Sequence, residues 1–457
     1  MEINEEAVLK LAPYAQLVDQ IANMTQKNMM TILPEILSSK FTNNLQELPH
    51  LINAIMYTIK IRPNQIATMA MFVKKLLEYN NEFYKLTELR PFLLRMIINI
   101  LSLPNPFPEH TAVPYFLYQL MNKEVLTFRE FAAAACLYTP DTIISIKSKK
   151  WLFCLFGPEL EDCNEDFYHS LFKLFEFKDE NPFLQRVFHA YMEELETLKE
   201  NDWIILKNRR NYDLDPFSVA SIIEHDQLSY LSHNAKGSFF DINQHIESSI
   251  IARSKYQQQR PTLLQYSALC GASRCFRFLL QHHAKIDFTD ENGLTLGDYL
   301  AISCNQIINN YLFSLNITIS QALHWAIQFH HNELYFKLFA QKIDKVSIKD
   351  KAFINTMQKA IISNNLKIFL HLYQTGSKIN EGFKNGNTAL HAAAFHGHIT
   401  MCKALLMLTN DLNKKNFAGI YIIFLIEHLF IMLLQVAPIS LSHFSLKMKI
   451  LNLMLQI

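Results

Sequence analysis

Two histidines stand one residue apart in the stretch GNTALHAAAFHGHITMCKALL, which runs from Gly386 to Leu406. Imidazole side chains at this spacing, His396 and His398, could bind a metal ion or transfer protons in catalysis. A zinc site needs three or four converging ligands, and no cysteine or carboxylate stands at a spacing that would complete one here. The sequence therefore predicts neither a metal site nor a cofactor at these histidines.

Other reactive side chains occur without a recognised catalytic pattern. Two further histidine pairs stand at the ends of predicted helices, where we expect surface or capping residues: His282/His283 and His330/His331. The seven cysteines are scattered and form no CxxC pair, which is typical of buried, reduced thiols. Nucleophile-elbow, phosphate-loop, zinc-protease and kinase signatures do not occur. We therefore predict that the protein is not an enzyme.

The composition is that of a folded, helical, intracellular protein. Half of the 457 residues are hydrophobic, which is enough for a large buried core. The formal charge of +1 gives no general attraction to nucleic acid or to an anionic membrane. Ten glycines are few for this length and disfavour glycine-rich loops. The acidic start MEINEEAVLK does not fit a secretion signal, so we predict a cytoplasmic protein, with the nucleus as the alternative compartment.

Glycines mark an internal period in the C-terminal half. Gly271 and Gly293 are 22 residues apart, as are Gly397 and Gly419, and Gly386 precedes Gly419 by 33 residues. A fixed period of this length indicates stacked repeats of one small structural unit. The histidines of the opening stretch therefore belong to a repeating element.

These segments resemble ankyrin repeats, whose helix-turn-helix units begin with a Thr-Pro-Leu-His motif. The strongest unit departs from the family pattern at Ala389 and Thr409 and matches it at Gly386, Thr388, Leu390, His391, Ala393, Ala394, Gly397, His398, Leu405, Leu406, Asp411 and Asn413. The resemblance implies that His391 forms hydrogen bonds within its own turn and that His398 begins the second helix. Both histidines then serve the fold, which leaves only His396 without a structural role.

The resemblance predicts an all-α protein with a helical N-terminal domain followed by a C-terminal ankyrin-repeat solenoid. We expect the helical domain at residues 1–205, a divergent helical segment or degenerate first repeat at 206–254, and ankyrin repeats at 255–419. Five repeats are enough for neighbours to bury each other's apolar faces. This organisation is similar to a large, uncharacterised ankyrin-repeat family with a helical N-terminal domain, found in some unicellular eukaryotes.

The first helix of each repeat shows a variable set of outward positions. In ankyrin stacks these positions line the concave face, where protein partners usually bind, and aromatic side chains there are candidate anchors. The candidate partner-binding residues are Tyr266, Tyr299, Trp325, Gln328, Phe395 and His396. The alternative for Trp325 and the tyrosines is packing against the neighbouring repeat. The predicted function is a protein-binding scaffold or adaptor that acts through this face and the hairpin tips, with a protein partner and no nucleic acid.

The last segment, residues 420–457, leaves the repeat register. Residues 420–438 are almost continuously apolar, so the alternative function is a membrane scaffold anchored by its tail. Glu427 and His428 lie in the middle of that run, where a charge is costly. A second hypothesis is a displaced reading frame, because shifted codons from Glu427 onward permit a Thr-Pro-Leu-His repeat start.

Overall fold

The structure of this chain is a computed structural model that consists of helices. It describes residues 3–79, 86–103, 112–139, 142–176, 182–212, 218–247, 249, 254–303, 305–314, 319–343, 351–380, 383, 386–408 and 415–417. Over these ranges, extended structure is limited to isolated bridge positions, one pair formed by His245 with Thr262 and a single position at Lys415. The all-α prediction is confirmed. None of the helices in these ranges is both long and apolar enough to cross a membrane, and the tail at 420–457 lies outside the described residues.

Within the described ranges, eleven α-helices precede the repeats. They are α1 (Glu5–Ala22), α2 (Met29–Leu37), α3 (Lys40–Asn43), α4 (Leu48–Ile61), α5 (Ile66–Glu78), α6 (Leu89–Ser102), α7 (Ala112–Asn122), α8 (Phe128–Ala134), α9 (Ile146–Cys163), α10 (Glu165–Leu171) and α11 (Pro182–Tyr212). Short 3₁₀ helices lie at Pro63–Gln65, Leu86–Glu88 and Phe172–Glu176.

In the part of the chain described after residue 217, fourteen further helices follow, most of them short. They are α12 (Val219–Glu224), α13 (Leu228–Asn234), α14 (Lys255–Gln258), α15 (Leu263–Cys270), α16 (Ser273–Gln281), α17 (Leu296–Ile302), α18 (Gln306–Asn309), α19 (Tyr311–Ser314), α20 (Ile319–Gln328), α21 (Asn332–Ile343), α22 (Lys351–Ile362), α23 (Leu366–Gln374), α24 (Ala389–Phe395) and α25 (Ile399–Leu408).

The chain divides into two compact units. One unit contains Met1–Asn99 together with Ala326–Ile457, and the other contains Ile100–Trp325. This division differs from the boundary near residue 205 that the sequence suggests. The physical reason is that α1 and α4 pack against α23 and α25, a long-range pairing that no local pattern reveals.

In the Ile100–Trp325 unit, two long helices are interrupted. In α9 the break is at Phe156, whose φ of −117° and ψ of 28° are not helical, two residues before Pro158. In α11 the break includes Asn201, Asp202 and Trp203, which have φ values of 51°, 58° and 60°. Three successive left-handed residues without a glycine are costly, so other contacts must hold this conformation in place.

The indole of Trp203 supplies those contacts. It is buried, it packs directly over Gly157, and its Nε1 donates a hydrogen bond to Glu161 Oε2 at 2.8 Å. Lys199 Nζ lies 3.0 Å from Glu161 Oε1 and 5.9 Å from the centre of the indole ring. The two breaks therefore meet at one tightly packed position.

We expect Gly157→Ala to destabilise the protein. An ideal Cβ at this position would lie 2.9 Å from Trp203 Cη2 and 3.1 Å from Cζ3, closer than packed carbon atoms approach. Overpacking of this kind costs about 1–3 kcal/mol, measurable by urea denaturation. Trp203→Phe removes the crowding atoms. In the Trp203→Phe background, Gly157→Ala should therefore lower the free energy of unfolding by less than it does in the wild type. Equal losses in both backgrounds would contradict the contact.

Candidate protein-binding surface

From α12 onward the helices form pairs joined by short turns. The pairs are α12/α13, α15/α16, α17/α18–α19, α20/α21, α22/α23 and α24/α25. First helices pack on neighbouring first helices, as α15 does on α17 and α22 does on α24. The faint pair that the sequence suggests at 217–231 is present as α12 and α13, which pack on α15 and α16.

Three first helices begin with the same hydrogen-bonded motif, a capping box. In α24, Thr388 Oγ1 accepts the His391 amide at 3.3 Å, and His391 Nδ1 accepts the Thr388 amide at 3.2 Å. Thr262 with Gln265 and Thr295 with Asp298 form the equivalent boxes at α15 and α17. The predicted role of His391 within its own turn is confirmed. In the other two boxes, the side-chain oxygen of Gln265 or Asp298 accepts the hydrogen bond from the threonine amide, as His391 Nδ1 does in α24.

A left-handed residue follows the first helix in five of the pairs. The φ values are 51° at Asp226, 74° at Gly271, 53° at His330, 49° at Asn364 and 71° at Gly397. Glycine adopts this conformation without strain, and histidine and asparagine tolerate it better than most residues. His330 and Asn364 therefore occupy the position at which glycine stands in the units that match the ankyrin-repeat pattern more closely.

Two of the notable histidines connect neighbouring repeats. His398 Nε2 donates to the Ile362 carbonyl at 2.7 Å, and His330 Nε2 donates to the Ser363 carbonyl at 2.8 Å. Both rings are buried, so the surface interpretation of His330 is wrong and the capping interpretation holds. Burial lowers the pKa of His330 to about 4 and holds the pKa of His398 well below its usual value.

His396 has a different environment from these two. It is half-buried, its ring stacks on that of His398 with centroids 5.7 Å apart, and it lies edge-on to Phe395. Across the described ranges no three His, Cys, Asp or Glu side chains converge as a metal site would require. The opening pair of histidines therefore combines one buried structural residue, His398, with one partly accessible residue.

The structure corrects the candidate list at Tyr266 and Tyr299. Both side chains are buried in the core. Tyr266 Oη accepts a hydrogen bond from Gln257 Nε2 at 3.0 Å, and Tyr299 Oη donates to Asp290 Oδ2 at 2.8 Å. These side chains present no surface to a partner, because α14 and its neighbouring residues contact them. Sequence spacing alone does not reveal that covering segment.

Trp325 is half-buried and forms contacts within its own unit. Its Nε1 donates to Asp298 Oδ1 at 2.7 Å, and its ring lies edge-on to Tyr256 at 5.7 Å. These contacts favour the packing alternative over the role of a partner anchor. The aromatic positions of the earlier repeats thus belong mainly to the interior.

The last repeats expose their first helices. Phe395 at the end of α24 is 77% exposed, and Gln328 at the equivalent position of α20 is half-buried. The sequence-based list missed Phe417, which is 86% exposed and lies against the backbone of Gly386. Its only signal in the sequence is its place directly after the polar hairpin tip at 414–416. We call the outward side of α22 and α24, together with Gln328 at the end of α20, the first-helix surface.

The opposite side of these repeats is covered by the chain itself. Helices α1 and α4 pack on the second helices α23 and α25. Asp19 Oδ2 pairs with Lys367 Nζ at 2.7 Å, and Asn53 Nδ2 donates to the Gly397 carbonyl at 2.8 Å. Accordingly, α25 is buried from Ile399 through Leu405, as expected for a helix that lies between two layers.

A buried polar cluster joins α1 and α4 to α25. Tyr14 Oη donates to Glu47 Oε1 at 2.7 Å, and Lys403 Nζ lies 3.3 Å from the same oxygen. His50 Nδ1 lies 3.0 Å from Thr400 Oγ1. Burial lowers the pKa of Lys403 to about 8, although the Glu47 carboxylate opposes this shift. A buried pair of this kind fixes the register of the layers more than it stabilises them.

Comparison with known proteins identifies the repeats. A family model described as "Ankyrin repeats (3 copies)" matches residues 323–416. No curated protein matches the chain in sequence. Among solved structures, the human ASB11 ankyrin repeat domain is 18% identical, with 51% of this chain and 96% of that chain covered and a TM-score of 0.34.

A second similar structure is the ankyrin repeat domain of Bcl-3. It is 18% identical, with 51% of this chain and 97% of that chain covered and a TM-score of 0.29. At such TM-scores the assignment depends on the family model and on the repeat geometry described above. Residues 323–416 of this chain are therefore ankyrin repeats.

Proposed function

We propose that the ankyrin repeats at 323–416 bind a protein partner on the first-helix surface. One observation carries the proposal: the second helices α23 and α25 are already covered by α1 and α4. A stack of repeats contacts only its neighbours and leaves an extended face on which side chains vary without harm to the fold. In this unit the uncovered face is that of the first helices, where Phe395 is exposed.

The proposal includes fewer contact residues than the sequence-based list does. Phe395 is the anchor, with His396 and Gln328 beside it on the same surface, and Tyr266 and Tyr299 are excluded by burial. An exposed aromatic side chain at the centre of an interface supplies much of the binding energy in protein complexes. The proposal includes no reaction, because nothing in this surface resembles a catalytic constellation.

Two further features belong to the proposal. We place the protein in the cytoplasm, with the nucleus as the alternative. The second candidate function is a membrane scaffold anchored by its tail, which the apolar run 420–438 favours. We also propose that the chain is related to the uncharacterised ankyrin-repeat family of unicellular eukaryotes, because it combines a helical N-terminal part with C-terminal repeats.

Replacement of Phe395 by alanine tests the proposal. Full-length wild-type protein, Phe395→Ala and Phe239→Ala are used to capture partners, which are quantified by mass spectrometry. Phe239 is the matched control because it is 99% exposed and lies in the other unit. We expect a purified partner to bind Phe395→Ala roughly 30-fold more weakly, as for a loss of about 2 kcal/mol, with an unchanged melting temperature.

The controls decide between the alternatives. If both phenylalanine variants bind the partner as the wild type does, the first-helix surface is not the binding site. If Phe395→Ala lowers the melting temperature while binding is retained, the side chain belongs to the core. Loss of membrane association after truncation at Gly419 would support the tail-anchored scaffold instead.

A further inference from the structure

Charge is unevenly distributed along this chain. Residues 351–417 contain eight lysines and two acidic residues, a formal charge of +6 in a chain whose total is +1. The lysines are Lys351, Lys359, Lys367, Lys378, Lys384, Lys403, Lys414 and Lys415, and the acidic residues are Glu381 and Asp411. The last two ankyrin repeats are therefore a basic segment within a nearly neutral protein.

Two of these lysines serve the internal contact with the N-terminal helices. Lys367 pairs with Asp19, and Lys403 pairs with Glu47. Lys359 lies elsewhere, at the outward position of α22 that corresponds to Ala392 in α24, and it is half-buried. Lys378 and Lys415 are exposed. The positive charge is thus not confined to the covered side of the repeats.

The first-helix surface itself has no acidic residue. Helices α20 (319–328), α22 (351–362) and α24 (389–395) contain lysine and histidine but neither aspartate nor glutamate. A surface with one sign of charge attracts partners of the opposite sign and disfavours those of the same sign. Charge complementarity therefore favours an anionic ligand.

Two exposed aromatic rings flank α24. Phe395 ends the helix, and Phe417 lies against Gly386, two residues before the Thr388 cap. The seven residues of α24 between them span about 10 Å along the helix axis, at 1.5 Å per residue. Ala392, with its small side chain, occupies the outward position between them. An extended peptide spans this distance in three or four residues, at about 3.3 Å per residue.

We propose that the first-helix surface binds an acidic protein segment with two apolar side chains three or four residues apart. The apolar side chains would contact Phe395 and Phe417, and an acidic side chain would face Lys359. This inference rests on the proposed function and specifies the class of partner. A protein segment is favoured over a nucleic acid, because the apolar rings require apolar side chains and the chain as a whole carries almost no net charge.

A peptide selection tests the inference. A library of random 12-residue peptides is selected against the immobilised full-length protein, and the enriched sequences are compared with the unselected library. We expect enrichment of Asp and Glu around two apolar residues at the stated spacing. Enriched peptides that are neutral or basic would overturn the inference.

Affinities of the enriched peptides then test the role of charge. By fluorescence anisotropy, Lys359→Glu should weaken binding by about tenfold or more, and so should a rise in salt from 50 to 300 mM. Lys236→Glu, the same charge change at an exposed site in the other unit, should alter binding by less than about twofold. Equal affinities for Lys359→Glu and the wild type would contradict the inference.

Two outcomes separate this inference from the proposed function. If the selected peptides lack acidic residues but lose binding to Phe395→Ala, the first-helix surface binds proteins and only the acidic specificity is wrong. If a 20-nucleotide single-stranded RNA displaces the peptides from the wild type at 150 mM salt and also loses affinity for Phe395→Ala, the ligand class is nucleic acid and the inference fails.

Discussion

Replacement of Leu405 by alanine should lower the free energy of unfolding by about 2–5 kcal/mol. Leu405 lies in α25 and is fully buried between the first helices on one side and the N-terminal helices on the other. The truncation removes several buried carbon atoms and leaves a cavity, because helices packed on both sides cannot collapse into it. Urea denaturation monitored by circular dichroism measures the loss.

Leu406 provides the matched control for this substitution. It is the next residue of α25 and is only half-buried. We expect Leu406→Ala to cost clearly less than Leu405→Ala, since fewer contacts are lost. If the two substitutions cost the same, the register of α25 between its two layers is wrong.

The second large effect is a loss of stability in mild acid. Three buried histidines, His50, His330 and His398, lie in the same unit. The pKa of His50 is lowered to about 3 and that of His330 to about 4. The pKa of His398 is well below its usual value. The unfolded chain has histidine pKa values near 6.5, so it binds more protons than the folded chain below that pH. Protonation of these histidines therefore leaves the free energy of unfolding unaffected above about pH 7, and it lowers that free energy as the pH falls from 6.5 toward 4.

The charges around these rings act in both directions, and burial is the largest cause of the lowered pKa values. His50 lies near Lys403 and Lys40 as well as Glu47, and burial outweighs the attraction of the carboxylate. His330 is near Arg62 and Asp19. Between pH 7.5 and pH 5, His330 alone should account for about 2 kcal/mol of lost stability.

His330→Asn isolates one histidine from the other two. Asparagine adopts the required left-handed conformation, as Asn364 does at the equivalent position of the next repeat. We expect this variant to fold at pH 7.5 and to lose about 2 kcal/mol less stability than the wild type between pH 7.5 and pH 5. An unchanged pH profile would show that His330 is not buried in its neutral form.

The local features of the repeats could be predicted from the sequence, because they depend on short-range chemistry. Thr388 and His391 form a capping box with each other, three residues apart, and the left-handed position after the helix requires Gly397 or a tolerant residue. Such signals survive in a single sequence. The helix pairs from α12 onward were predictable for the same reason.

Long-range features of the site were not predictable. The repeat pattern predicts outward positions on first helices for both Tyr266 and Phe395, yet Tyr266 is 1% exposed and Phe395 is 77% exposed. The difference arises from α14, which covers the earlier repeat, and no periodicity reports which surface a neighbouring segment covers. The packing of α1 and α4 on the second helices is invisible in the sequence for the same reason.

Hydroxyl-radical footprinting of the full-length protein, free and bound to a selected peptide, tests most directly whether the first-helix surface is the open face of the repeats. In the free protein we expect rapid oxidation of Phe395 and slow oxidation of Tyr14 in α1 and Phe369 in α23, which are both buried. Peptide binding should slow oxidation of Phe395 and leave the two buried rings unchanged. Protection of Phe395 in the free protein, or a change only at Tyr14 and Phe369 on binding, would contradict the account.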